Sequence, residues 1–143
     1  MVSGHGLVGI GYEGQDIAAF VEALTVGHVT RLVDVRLTPL SRKRGFGKTA
    51  LTAVLADAGI AYEHFRALGN PKDNRPGFSG SPEDLRTARA VYEARLDTSE
   101  ARAAIAGLVE AARRERVAVL CFEADQARCH RDVVLAVAAG LLA

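Results

Sequence analysis

At 143 residues, with 49% apolar and 24% charged residues, the chain has the size and make-up of a single folded domain over 1–143 and not of a disordered segment. Lysine and arginine total 18 against 17 acids, a net charge of +1, which excludes a surface built wholesale to coat a polyanion while leaving room for a local basic patch. The opening MVSGHGLVGIGYEG lacks the basic and apolar regions of a secretory leader, and the apolar residues 133–143 are too few to span a bilayer, so a cytoplasmic protein without a membrane is expected. In that compartment two cysteines are thiols or ligands more readily than a disulfide.

Residues 7–11, LVGIG, form a short apolar run that predicts a strand, and GYEG after it a turn. Ile17, Phe20, Val21 and Leu24 then share one helical face, and Gly27 closes that helix. RLVDVR, 31–36, predicts a second strand, and strand, helix, strand in so short a stretch implies a parallel crossover. The basic loop 37–47, LTPLSRKRGFG, leads to a second helical stripe at Leu51, Val54, Leu55 and Ala58, a stop at Gly59 and a third strand over 60–65. Residues 69–82, GNPKDNRPGFSGSP, are rich in proline and glycine and predict a long loop, a candidate lid.

Ser81-Pro82-Glu83-Asp84 is a helix start, with a serine cap, proline in the first turn and acids at the positive dipole end. Leu85, Ala88, Tyr92 and Leu96 give that helix its apolar stripe. Thr98 or Ser99 caps another, in which Ile105, Leu108, Val109 and Ala112 face the core. The apolar run 117–122 predicts a fourth, buried strand, and a polar connection ending in Cys-His-Arg leads to a last helix from Val133 onward. Mostly apolar strands alternating with helices indicate an α/β fold. The expected form is a three-layer α/β/α, Rossmann-like domain with a mostly parallel sheet of about four strands, order 3-2-1-4. Ligands in such sheets bind beyond the carboxyl ends of the strands, where the polar clusters of this chain should converge.

Asp34 and Arg36 project from the same face of their strand, either as a structural ion pair or as part of an active site. Ser41, Arg42 and Lys48 add donors, so the loop 42–48 reads as a solvated basic face or as a phosphate clamp. Tyr62 and His64 share a face at the end of the third strand, and Tyr12 is placed to line the same pocket, whereas His5 and His28 have no comparable context. Cys121 is either a small core residue or a thiol activated by nearby cations and a helix start. Its spacing to Arg128 is one residue too long for the loop of cysteine phosphatases and sulfurtransferases, which removes that motif. Glu123 and Asp125 are candidate acid/base carboxylates, and Cys129, His130 and Arg131 open the last helix, where an anion is favoured.

Taken together, LVDVR, P-x-S-R, F-x-K, GI-x-Y-x-H, LG and CFE-x-D-x-x-x-CHR, in this order from Gly11 to about Ala136, resemble the domain-of-unknown-function-488 family of small bacterial and archaeal α/β proteins. The family pattern lands on Asp34, Arg36, Pro39, Ser41, Arg42, Phe46, Lys48, Tyr62, His64, Gly69, Cys121, Glu123, Asp125, Cys129, His130 and Arg131. Gln126 departs from it, standing where many members have proline. The resemblance implies a polar pocket of enzymatic character and brings no established reaction with it.

The favoured expectation is an enzyme acting on a small phosphorylated or nucleotide-like anion. Arg36, Arg42, Lys48 and Arg131 would hold the anion, Tyr12, Ser41, Tyr62, Cys129 and His130 would line the site, His64 with Asp34, Glu123 or Asp125 would move protons, and Cys121 would be the nucleophile. No cofactor is expected. The alternatives are a non-catalytic nucleotide- or nucleic-acid-binding module that uses loop 42–48, and a zinc site at Cys121, Cys129, His130 and His64.

Overall fold

The structure, a computed structural model, describes residues 6–142. His5 therefore lies outside the described residues. Four parallel strands, β1 (Gly6–Gly11), β2 (Arg31–Asp34), β3 (Ala61–His64) and β4 (Arg116–Cys121), form one sheet. Helices α1 (Ile17–Val26) and α2 (Lys48–Asp57) cover one face, and α3 (Pro82–Arg95), α4 (Ser99–Arg114) and α5 (Arg131–Leu142) cover the other. The α/β class and the layered arrangement follow the sequence pattern. Among the described residues no helix is long and apolar enough to cross a membrane.

The helices begin and end for local reasons visible in the sequence. Asp16 caps α1 by accepting from Ala19 N, Thr98 caps α4 by accepting from Ala101 N, and Ser81 and Asp84 form a reciprocal capping box on α3. Gly59, after α2, has a φ of +76°, a conformation that side chains resist. The stripes pack inward as patterned: Phe20 and Leu24 from α1 and Leu51 and Leu55 from α2 meet Leu32, Ala118 and Leu120 of the sheet. Leu108, Val109 and Ala112 of α4 meet Val33, Val117 and Val119 on the opposite face.

The strand order differs from the expected 3-2-1-4. The sheet runs β1-β4-β2-β3, with β4 inserted between β1 and β2 and paired to both. The reason is apolar burial. Val117, Ala118, Val119 and Leu120 are each fully buried and need a neighbour on both sides and a helix layer on both faces, whereas β1 is only half-buried along its whole length. β1 is also thinned by glycine. A side chain at Gly9 would collide with Gln126 and Leu135, so this edge strand stays bare where the start of the C-terminal segment crosses it.

Smaller corrections concern element ends. β2 stops at Asp34 and not at Arg36, because the Arg36 N–H leaves the ladder to donate to Asp34 Oδ1 at 3.0 Å. β3 and β4 are each shifted inward or backward by a residue from the expected 60–65 and 117–122. Residues 69–82 are not a plain loop: they contain 3-10 turns at Lys72–Asn74 and Pro76–Ser79, and bury Asn70 and Phe78. Asn74 donates to Asn70 Oδ1 and to Ala88 O, and Arg128 donates to Phe78 O and Gly80 O, so the segment is fastened as a wall.

Native-state hydrogen exchange tests the order directly. Amides of Ala118–Leu120 should exchange most slowly and those of β1 distinctly faster, the reverse of what a central β1 would give.

Candidate functional site

The connections leaving β1 and β2 turn to α1 and α2, while the one leaving β4 turns to α5 on the other face. The loops therefore part on both sides of β4, and a cavity of about 240 Å³ opens at its carboxyl end. Tyr12, Arg36, Cys121, Glu123, Cys129 and His130 line it, together with Asn70, Arg75, Phe78 and Arg128 from outside the predicted set. A broader outer groove shares Arg75, Phe78, Glu123 and Arg128 and adds Glu13 and Asp125.

One wall is built on a buried charge. Asp34 has no exposed surface, and its carboxylate accepts from Arg36 Nε at 2.9 Å and Nη2 at 2.7 Å and from the Tyr62 hydroxyl at 2.6 Å. Burial and the bond to Asp34 hold the Tyr62 phenol well above its ordinary range, so it stays a donor. Nη1 of Arg36 donates to Phe46 O at 2.8 Å and to the Tyr12 hydroxyl at 3.2 Å. The Tyr12 ring stacks on Phe46 with centroids 4.5 Å apart. Arg36 thus reaches the cavity with its nitrogens already engaged.

The opposite wall is the sulfur cluster. Cys121 ends β4, and Cys129 and His130 directly precede α5. His130 Nε2 lies 2.7 Å from Val35 O, and since a carbonyl only accepts, Nε2 carries the proton. The lone pair of the neutral ring is therefore on Nδ1, which sits 3.6 Å from Cys121 Sγ and 3.9 Å from Cys129 Sγ. The Tyr92 ring holds the imidazole edge-on at 5.0 Å, and the Tyr92 hydroxyl is tied to Leu68 O at 2.6 Å. Cys121 Sγ also lies 3.2 Å from Glu123 Oε2, the S–H donating to the carboxylate.

The two thiols are driven apart. Burial works against the Cys129 thiolate, but the neighbouring Cys121 and His130 side chains outweigh it and bring that thiol down to about 6. Cys121, beside Cys129 and itself buried, is pushed well above the ordinary thiol range.

Glu123 is aimed by backbone anchoring. Arg131 Nη1 donates to Glu123 O at 2.6 Å, Glu13 Oε1 accepts from Ala124 N at 3.0 Å, and Glu13 N donates to Phe122 O at 2.9 Å. A side chain at Gly11 would collide with the Glu123 carbonyl, so this approach of the two loops needs glycine.

Of the expected site residues, Tyr12, Arg36, Cys121, Glu123, Cys129 and His130 come together. Asp34, Tyr62 and His64 do not join them. They lie on the α1/α2 face of the sheet, where Asp34 is level with Leu120, whereas Cys121 points to the α3–α5 face. His64 Nε2 donates to Arg36 O at 2.6 Å and fastens the end of β3 to the segment after β2. Ser41 Oγ accepts from Lys43 N, and Arg42 and Lys48 are exposed and outside the cavity lining. Asp125 caps the turn Gln126–Arg128 by accepting from Ala127 N and reaches only the outer groove. Arg131 is buried against the backbone of Glu123 and Ala124 and turns its charge away from an anion at the helix start.

Arg75, Asn70 and Phe78 lie in the Pro/Gly-rich segment singled out only as a lid, so the signal for them was its length. Arg128 was visible only as the wrong end of a phosphatase spacing.

The fold and the site define an α/β protein with a cavity at the carboxyl end of a parallel sheet, lined by two thiols, an imidazole and cations. The chain belongs to the family described as Domain of unknown function DUF488, whose model matches residues 16–138. No curated protein and no solved structure matches it.

Two outcomes follow. Asp34→Ala leaves the Arg36 guanidinium buried and unpaired and should cost about 3–5 kcal/mol in chemical denaturation. In chelator-treated protein, thiolate absorbance should rise with a midpoint at about 6, and this step should vanish in Cys129→Ser while remaining in Cys121→Ser, with its midpoint moved upward.

Proposed function

We propose that the protein is an enzyme acting on a small anionic molecule, with the Cys121–Cys129–His130 cluster as its reactive centre and Glu123 as the carboxylate that moves a proton. The observation that carries this reading is the orientation of His130. Its Nε2–H is committed to Val35 O, which leaves Nδ1 facing both sulfurs at the inner end of the cavity. Two buried thiols beside an oriented imidazole are more than a core needs, since valine or alanine would fill the same space without a polar group to satisfy.

The anion preference rests on Arg75 and Arg128 at the mouth. Arg128 spends Nη1 on Phe78 O and Gly80 O. Arg75 is exposed and makes a single long bond, Nε to Asn70 O at 3.4 Å, and among the described residues its terminal nitrogens have no hydrogen-bond partner. With Arg36 and Arg131 engaged inside the protein, Arg75 is the cation best placed to meet a phosphate or carboxylate.

Calorimetry with inorganic phosphate and with nucleoside monophosphates tests the binding half. Arg75→Ala should weaken whichever ligand binds by about ten- to a hundredfold, the equivalent of a charge-assisted hydrogen bond of about 1.5–3 kcal/mol. Unchanged affinity would remove Arg75 from the site. Turnover of phosphorylated substrates that persisted in Cys129→Ala would remove the cluster as the reactive centre.

A further inference from the structure

We infer that Cys121, Cys129 and His130 bind a zinc ion, with the fourth coordination position open to the cavity. The inference goes beyond the proposed enzyme reading and does not depend on it, because ion binding requires only the three donors.

Two sulfurs and one imidazole nitrogen lie within 4.8 Å of one another. Zinc–sulfur bonds of about 2.3 Å and zinc–nitrogen bonds of about 2.0–2.1 Å, held at tetrahedral angles, place sulfur and nitrogen about 3.5 Å apart and two sulfurs about 3.8 Å apart. The separations of 3.6 and 3.9 Å between His130 Nδ1 and the two sulfurs are close to those edges. Nδ1 is also the atom that must be free of a proton, and in the neutral ring the Nε2–H bond to Val35 O leaves it so. A metal-bound histidine is held in this way, its other nitrogen donating to a carbonyl that fixes both tautomer and ring direction.

The surroundings supply the second argument. Cys121, Cys129 and His130 are 5%, 1% and 7% exposed; Cys121 is the last residue of β4, and Cys129 and His130 directly precede α5. Two thiolates, a neutral imidazole and a divalent cation sum to zero, a charge that a buried site can hold.

The expected fourth donor, His64, is committed to Arg36 O and lies on the other face of the sheet. Among the described residues no other cysteine or histidine joins the cluster. A set of three protein donors with an open position is the arrangement of catalytic zinc, and closed structural sites use four. Glu123, with Oε2 at 3.2 Å from Cys121 Sγ, stands beside that open position, able to take a proton from a bound water or to ligate weakly itself.

The full chain, stripped with a chelator under reducing conditions and checked by circular dichroism to be folded, is titrated with cobalt(II). The expected result is one ion per chain, with intense tetrahedral d–d bands and a sulfur-to-cobalt charge-transfer band, both lost when zinc is added. The double variant Cys121→Ser/Cys129→Ser should lose the charge-transfer band. His130→Gln, which leaves both sulfurs in place, should keep that band and bind more weakly. A folded wild-type chain that gives no charge-transfer band overturns the inference, and so does cobalt or zinc binding that survives the double serine variant. Neither outcome touches phosphate binding through Arg75, so failure of the zinc site and failure of the anion reading are told apart.

Discussion

The carboxylate of Asp34 is the constraint on which the sheet end depends. A charge with no exposed surface must be matched in full, and Arg36 and Tyr62 match it from the same side of the sheet. The matching sets more than a pair. It ends β2, since the Arg36 amide turns to Asp34; it pulls Phe46 and Tyr12 onto the other arm of the guanidinium; and it leaves Val35, the residue between, with its carbonyl turned toward the opposite face. That carbonyl is the one that orients His130. A buried ion pair on one face of the sheet thus fixes the imidazole on the other, although no atom of the pair touches the sulfur cluster.

Much of this was legible in the sequence, and the illegible part has a physical cause. The common face of Asp34 with Arg36, and of Tyr62 with His64, follows from strand alternation and needs no knowledge of neighbours. So do the stripes and caps of the helices. Strand order is not legible in the pattern because the position of β4 depends on competition between strands for the sheet centre, and only the glycines of β1 point to its losing. The partnership of His130 with the cysteines, and the withdrawal of His64, depend on two backbone carbonyls, Val35 O and Arg36 O, that carry no sequence signature. Arg36 and Arg131 looked like anion ligands because charge type is readable and engagement is not. Arg75, whose terminal nitrogens have no hydrogen-bond partner among the described residues, sits in a stretch whose composition announces only turns.

The cavity lies at the rim of the sheet, where its two faces meet. Arg36 arrives there from the α1/α2 side, and Cys121 and His130 arrive from the α3–α5 side. The rim gives a ligand both a hard, charged wall and a soft, polarisable one. Glu123 stands between them because Gly11, Glu13 and Arg131 all hold its loop.

The insertion of β4 also bears on how the molecule is made. β1 and β2 follow one another in the chain yet share no hydrogen bond, and each keeps an edge that only β4 satisfies. β4 is the last strand to leave the ribosome, after α3 and α4. Until it arrives β1 has no strand to pair with, and β2 can pair only with β3. Long-range closure of this kind is slow, because the loop entropy must be overcome before the strand makes its contacts. Since β4 carries Cys121 and delivers Cys129 and His130 just behind it, the cluster of two thiols and an imidazole assembles in the same event that completes the sheet, and a chain without β4 in place has no cluster to expose.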